Sequence, residues 1–220
     1  MENTTGIRIT KRDYGFSVAA GLLIGLLLLP VLKTASPLIF AKFAIAIVPF
    51  FLLATPIGLR IVFYIGQKVA IIYQIAKFGV IGVSNVLVDL GVLSLTTILF
   101  SSKLHIESST ALIGAITFYS LFKSISFIVA NINSYLWNKH WTFDQGAKKQ
   151  TKSEFVQFFA VSIVGFLINV FVASVVFKMI LGSMTSFNTG QLGLMGAAAG
   201  SIAGLAWNFI GYKLWVFKQD

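Results

Sequence analysis

Residues 131–143, NINSYLWNKHWTF, decide how this chain is organised, because a long apolar run ends there and a basic loop begins. A degenerate copy, WNFIGYKLWVF, lies near the end of the chain at residues 207–217. In each copy a lysine stands two residues before a Trp-x-Phe triplet, and an asparagine with an aromatic neighbour precedes that lysine. The two copies hold all 4 tryptophans: Trp137, Trp141, Trp207 and Trp215. A repeated unit therefore ends twice at a surface suited to aromatic rings, amides and positive charge.

Composition indicates which surface this is. The chain is 57% hydrophobic and 11% charged, with a mean hydropathy of +0.88. Several uncharged runs reach about eighteen residues, the length typical of membrane-spanning helices. Few residues carry the formal net charge of +10, so we interpret it as loop charge that sets orientation rather than as a nucleic-acid-binding surface. The absence of cysteine excludes disulfides and thiolate metal sites.

The predicted fold is an all-α integral membrane protein with six transmembrane helices. Residues 66–77 are predicted to form a short amphipathic segment along the membrane interface. This division gives an N-terminal hairpin with that segment at 1–73, and a four-span domain at 74–220. The predicted helices cover residues 14–32, 38–65, 78–100, 108–137, 155–181 and 191–215.

Loop charge predicts the orientation, because loops on the cytoplasmic side of a membrane are enriched in lysine and arginine. One side would carry Arg8, Lys11, Arg12, Arg60, Lys68, Lys77, Lys139, Lys148, Lys149, Lys152, Lys213 and Lys218. The other would carry Lys33, Lys42, Lys103 and Lys178. Both termini and both Trp-x-Phe stretches are therefore predicted to lie on the cytoplasmic side of the cytoplasmic membrane.

Predicted helices 3–4 and 5–6 form two copies of one hairpin, which makes them a tandem repeat in parallel orientation. When Trp141 is aligned on Trp215, small or polar residues recur at every fourth position in both copies. In the first copy these are Ser126, Ala130 and Ser134, and in the second they are Gly200, Gly204 and Asn208. Together with Gly196, the glycines favour close helix packing, with a groove for an isoprenoid tail as the alternative.

Two strings, KFGVIGVSNVLVDLG at 77–91 and NSYLWNKHWTF at 133–143, followed by the degenerate second copy, resemble the GtrA-like family of small four-span membrane proteins. The resemblance covers about residues 74–218. It implies a role in cell-surface polysaccharide or teichoic-acid glycosylation. It also implies movement of a polyprenyl-phosphate-linked sugar across the membrane beside a membrane glycosyltransferase. The expected partners are that lipid, the transferase, anionic lipids and, as an open question, further copies of the chain.

The candidate binding residues lie in the two copies and in the spans before them. Amides, lysines and rings at headgroup depth could bind a lipid phosphate or sugar hydroxyls, although an aromatic belt alone would also explain the rings. Asp89 and Lys123 are expected near mid-span, either neutralising each other or serving the lipid phosphate. The full set is Asn85, Asp89, Lys123, Asn133, Tyr135, Asn138, Lys139, Trp141, Asn169, Asn208, Tyr212 and Lys213.

Enzyme chemistry finds little support in the sequence. There are 7 acidic residues, and we expect only Asp89 inside the membrane. The sequence contains no Asp-x-Asp motif, no acidic or histidine pair at metal-ligand spacing and no glycine-rich phosphate loop. We therefore expect no catalysis, no cofactor and no metal. Two alternatives to translocation remain: a non-transporting scaffold that anchors a transferase through the basic loop at 148–152, and a small-cation or drug exporter that uses Asp89.

Overall fold

A computed structural model describes residues 9–67, 69–114, 116–144, 151–183 and 189–218, and most of this chain is helical. Two short antiparallel strands, β1 (Ala111–Ile113) and β2 (Ile116–Thr117), form a small hairpin. Apart from this small hairpin, the regular elements of the described residues are helices, so the predicted all-α class is confirmed. The helices are α1 (Lys11–Ala35), α2 (Pro37–Gly66), α3 (Ala70–Leu104), α4 (Phe118–Trp137), α5 (Lys152–Ser183) and α6 (Thr189–Gly211). Two π-helical turns follow, the first at Asn138–Thr142 after α4 and the second at Tyr212–Val216 after α6.

Four helices within the described residues are long and apolar enough to cross a membrane. Their apolar stretches are Lys11–Lys33, Pro37–Gly66, Ile71–Leu104 and Lys152–Met179. The protein is thus a multi-pass membrane protein, while the count of six spans stays a prediction. Prolines at 30, 49 and 56 lie inside α1 and α2. Spanning helices tolerate them because neighbouring groups can satisfy the carbonyls that proline leaves unbonded.

The chain divides into two compact units, Met1–Asp144 and Gln145–Asp220. In the first unit, α1 packs against α2 and α3, and α3 packs against α4. Its buried core joins three helices to the first π-helical turn. The core residues are Ala20, Leu59, Phe63, Tyr73, Ile81 and Trp141. The N-terminal hairpin α1–α2 therefore shares its core with the Trp141 stretch.

The second unit consists of α5 and α6 with the second π-helical turn, and glycines let its helices approach closely. A methyl group at Gly196 would lie 2.7 Å from the backbone oxygen of Ala173, and one at Gly204 would lie 2.8 Å from that of Gly165. A methyl group at Gly200 would overlap the backbone oxygen of Asn169. These glycines thus serve close helix packing.

The structure differs from the prediction at the start of α3 and at the start of α4. Residues 70–77 are not a separate interfacial segment, because they are the first two turns of α3. The fourth helix begins at Phe118 rather than near 108, because Gly114 adopts a φ of +57° and turns the chain into the β-hairpin. Lys123 consequently lies in the second turn of α4 and not at its middle.

Candidate functional site

The first π-helical turn holds two predicted headgroup ligands inside the unit. Asn138 and Lys139 are fully buried. The Asn138 side-chain amide donates to the backbone oxygen of Ser134 at 2.9 Å and to its hydroxyl at 3.2 Å. The Lys139 ammonium lies 5.8 Å from the centre of the Tyr135 ring, which is also buried. In this conformation these residues organise the end of α4 instead of forming an open binding surface.

Trp141 is also buried, and it donates to an acid that we did not predict as a site residue. Its indole Nε1 donates to Asp13 Oδ1 at 3.2 Å, and the Lys77 ammonium pairs with the same oxygen at 2.5 Å. The second oxygen, Oδ2, accepts from the backbone nitrogen of Thr10 at 3.0 Å and from its hydroxyl at 2.9 Å. The signal that could have revealed Asp13 is the capping box Thr10-x-x-Asp13 just before an apolar run.

Two further side chains from the start of α1 contact the same stretch. The Phe16 ring lies 5.6 Å from Trp137 and 5.9 Å from Trp141, measured between ring centres. The Arg12 guanidinium donates to the backbone oxygen of His140 and to the carboxylate of Asp144, each at 2.6 Å. The N-terminal turn of α1 is therefore fastened to the first π-helical turn by charge, hydrogen bonds and rings.

Polar residues also follow one another between α3 and α4, and we call Asn85, Asp89, Lys123, Ser126 and Asn133 the polar track. Asn133 donates to the side-chain oxygen of Asn85 at 3.5 Å. One turn further along α3, Asp89 accepts from the Ser126 hydroxyl at 2.6 Å and pairs with Lys123. The pair is only partly covered, since the Lys123 side chain is 43% exposed and that of Asp89 22%.

The second unit places its predicted residues differently. The hydroxyls of Tyr212 and Ser162 lie 2.6 Å apart, and the Tyr212 ring stacks on Phe158 at 4.1 Å. The Lys213 ammonium lies 5.8 Å from the Phe209 ring centre, the same distance as in the first unit. A methyl group at Gly165 would collide with the Asn208 side chain, so that amide is packed against α5, as Asn169 is against Gly200.

The two units share a local plan but differ in exposure. Each ends in a π-helical turn, and the two turns coincide when Trp141 is aligned on Trp215. Trp141 is 2% exposed, whereas Trp215 is 56% exposed. The buried carboxylate that accepts from Trp141 comes from α1, which belongs to the first unit. The asymmetry between the copies therefore follows from the N-terminal hairpin.

Apolar helices of this kind, with their repeated Trp-x-Phe stretches, define a multi-span helical membrane protein, and comparison with known proteins identifies its family. Residues 77–217 match the model described as GtrA/DPMS, transmembrane domain. The chain therefore belongs to the GtrA-like family, as the resemblance predicted. It is also 30% identical over 162 residues to the uncharacterized membrane protein YngA of Bacillus subtilis (strain 168), covering 72% of this chain and 91% of that protein. No solved structure matches.

Proposed function

We propose that this protein translocates, or helps to translocate, a polyprenyl-phosphate-linked sugar across the cytoplasmic membrane during glycoconjugate synthesis. Its membership of the GtrA/DPMS family supports this proposal. The observation that carries it is the polar track, which places amides, a hydroxyl and an ion pair along a hairpin whose α3 is apolar enough to span a membrane. In our proposal the protein acts as a carrier without catalysing a reaction.

The physical difficulty of translocation is moving a charged, hydroxyl-rich headgroup through hydrocarbon. Burying an unpaired hydroxyl costs roughly 1–3 kcal/mol by protein mutational data, and an isolated charge costs far more. The Asn85 and Asn133 amides can exchange their mutual contact for sugar hydroxyls. Lys123, which is partly exposed, can exchange Asp89 for the lipid phosphate while Asp89 keeps its bond to Ser126. The polyprenyl tail would stay in the lipid throughout.

The two Trp-x-Phe stretches would stand at the cytoplasmic headgroup level, where indoles and lysines are favoured. There the first π-helical turn would fix the cytoplasmic end of the polar track, since Asn138 and Lys139 directly follow the helix that carries Asn133. A membrane glycosyltransferase is the proposed partner, because it would load or unload the sugar at one face.

Reconstitution tests this proposal directly. Purified protein in proteoliposomes should move an isotopically labelled polyprenyl-phosphate sugar from one leaflet to the other. The combined change of Lys123→Met and Asp89→Asn removes both charges of the pair and should abolish that movement without unfolding the protein. Lys103→Met is the matched control, since Lys103 is an exposed lysine in the last turn of α3, the helix that carries Asp89. Equal transport by the double variant and the control would refute the role of the track.

The same assay tests the scaffold alternative, and the contacts of Asp89 bear on the exporter alternative. Movement without any transferase would exclude a pure scaffold, whose proposed anchor at 148–152 lies mostly outside the described residues. An exporter of small cations would need the carboxylate of Asp89, which Lys123 and Ser126 already occupy. We therefore favour the lipid-linked sugar.

A further inference from the structure

The buried contact between α1 and the Trp141 stretch has the form of an occupied anion site. Two donors on different elements, the Lys77 ammonium of α3 and the Trp141 indole, converge on a single oxygen of Asp13 at 2.5 and 3.2 Å. An ammonium and an N–H group aimed at one oxygen form a charge-assisted anion site. The carboxylate that fills it comes from the N-terminal hairpin, which lies outside the residues matched to the family.

Aromatic rings shape the rest of this site. The Lys77 ammonium lies 4.5 Å from the centre of the Tyr73 ring and 6.0 Å from that of Trp141, so the rings hold the cation on faces that cannot neutralise it. Lys77, Asp13, Tyr73 and Trp141 are all buried. A buried ammonium needs an anionic partner. The rings around Lys77 do not supply one, so the position is open to an anion, which here is the Asp13 carboxylate.

The competing carboxylate is held by the part of a helix that opens most easily. Asp13 lies in the first turn of α1, and its second oxygen is bound by Thr10, the N-cap residue of the same turn. Helix ends open at small free-energy cost compared with helix interiors. The exposed Arg12 stands next to Asp13 and reaches the carbonyl of His140 and the exposed carboxylate of Asp144. A second cation is thus present at the rim of the site.

We propose that Lys77 and Trp141 form a phosphate-binding site which Asp13 occupies as an internal competitor. The phosphate ester of the lipid-linked substrate would take the place of the Asp13 carboxylate when the first turn of α1 opens, as a contact separate from the one with Lys123 in the polar track. Arg12 would then pair with a further phosphate oxygen, because its planar fork suits phosphate. The identity of the lipid rests on the proposed function, whereas the anion site itself rests on the contacts around Asp13.

Binding measurements in nanodiscs of zwitterionic lipid test this proposal without requiring transport. Asp13→Ala removes the competing carboxylate. The affinity for a short-chain prenyl phosphate should then rise about tenfold or more, because the first turn of α1 no longer has to open before the phosphate binds. Adding Lys77→Met to Asp13→Ala should abolish that gain. Glu107→Ala is the matched control, since it removes an exposed acid of the same unit whose hydrogen bond is to Ser101, away from Arg12 and Lys77, and it should leave the affinity unchanged.

A second readout addresses folding and the source of the phosphate. Asp13→Ala leaves a hole of carboxylate size, so formate should restore part of the lost thermal stability. Stability restored by inorganic phosphate, together with unchanged binding of prenyl phosphate, would overturn the assignment to a lipid. If Asp13→Ala does not fold, Thr10→Ala loosens the competitor while keeping its charge, and it should raise the affinity by a smaller factor.

The inference is wrong if folded Asp13→Ala and Thr10→Ala proteins both bind prenyl phosphate no better than the unchanged chain. That result would make the contact a fixed structural ion pair. Failure of the proposed function would look different, because an unchanged chain that moves no labelled lipid in proteoliposomes could still show the gain in binding. The two ideas can therefore fail separately.

Discussion

At the scale of single residues, Trp141 and Trp215 show how surroundings determine what a side chain contributes. Trp141 is buried and donates to the Asp13 carboxylate, whereas Trp215 is mostly exposed and packs edge-on against Trp207 at 5.5 Å. A hydrogen bond to a charged group contributes about 1.5–3 kcal/mol. Replacing the exposed Trp215 should remove no interaction of comparable free energy.

We therefore predict different costs for the same substitution at the two positions. Trp141→Phe should destabilise the protein by about 2 kcal/mol, because it removes a donor from a buried carboxylate. Trp215→Phe should stay within about 0.5 kcal/mol. Thermal unfolding of both variants in one detergent measures the difference. Equal melting temperatures would show that the bond between Trp141 and Asp13 contributes nothing.

The pair of Asp89 and Lys123 gives a second prediction at this scale. Breaking a fully buried pair costs about 3–5 kcal/mol, but this pair is partly exposed, so Lys123→Met alone should cost about 1–2 kcal/mol. The double change with Asp89→Asn should recover most of that loss, because no lone charge remains. A double-mutant cycle of thermal stability measures the coupling. A stable and active Lys123→Met protein would mean that the lysine has neither a structural nor a substrate role.

Asp13 shows where prediction from sequence ends at the residue scale. We expected Asp89 to be the only acid inside the membrane, and its pairing with Lys123 is confirmed. Asp13 stands beside Lys11 and Arg12 in a polar, basic stretch just before the first predicted helix, so nothing in the sequence indicates that it is buried. Its capping box with Thr10 is local and readable, but its partners Lys77 and Trp141 are distant in sequence, so only the packing of α1 reveals them.

At the scale of elements, the glycines of α6 decide how closely its partner can approach. Gly200 faces the backbone of Asn169, so Gly200→Ala should force the helices apart and cost about 1–3 kcal/mol. A methyl group added at Gly79 on α3 would meet no other part of the protein within 4 Å, and Gly79→Ala should be neutral or stabilising by up to about 1 kcal/mol through helix propensity. Melting temperatures in detergent compare the two. A loss at Gly79 equal to that at Gly200 would contradict the packing argument.

Element boundaries could be predicted where breakers mark them. Pro37 begins α2, as its ring favours the first helical position, and the long apolar runs gave α1, α2 and α5 to within a few residues. No proline interrupts residues 70–104, so hydropathy alone could not show that the amphipathic start and the span are one helix. The β-hairpin before α4 was missed because its Ala, Leu and Ile residues suit a helix, and only Gly114 marks the turn.

At the scale of the whole molecule, the family match and the compact units divide the chain differently. The match covers 77–217, while contacts group α1 and α2 with α3 and α4 in the unit Met1–Asp144. The predicted boundary at 73/74 follows the motif, and a sequence motif says nothing about which surfaces pack together. The N-terminal hairpin is therefore integrated into the first half of the family domain through Asp13 and Phe16.

Orientation is the last prediction, and it follows from charge at the ends of the helices. Lysine and arginine concentrate on the side that would hold both termini and the loop at 148–152, and this bias predicts that this side faces the cytoplasm. Helix α3 has 35 residues, about 52 Å at 1.5 Å per residue, so it is longer than a hydrocarbon core of about 30 Å. Its last turn, with Lys103, should therefore reach the external headgroups.

Reporter fusions check this arrangement at three points. Fusions at position 220 and within 148–152 should report a cytoplasmic location, and one placed after Lys103 should report an external one. Moving lysines and arginines from the predicted cytoplasmic side to the predicted external side is the corresponding control, since it should weaken the charge bias and give mixed reporter signals. An external reading at position 220 with a cytoplasmic one at 148–152 would mean an odd number of crossings after that loop. External readings at both points would mean that the protein is oriented opposite to the prediction. The site of Lys77 and Trp141 would then lie on the side away from the cytoplasm.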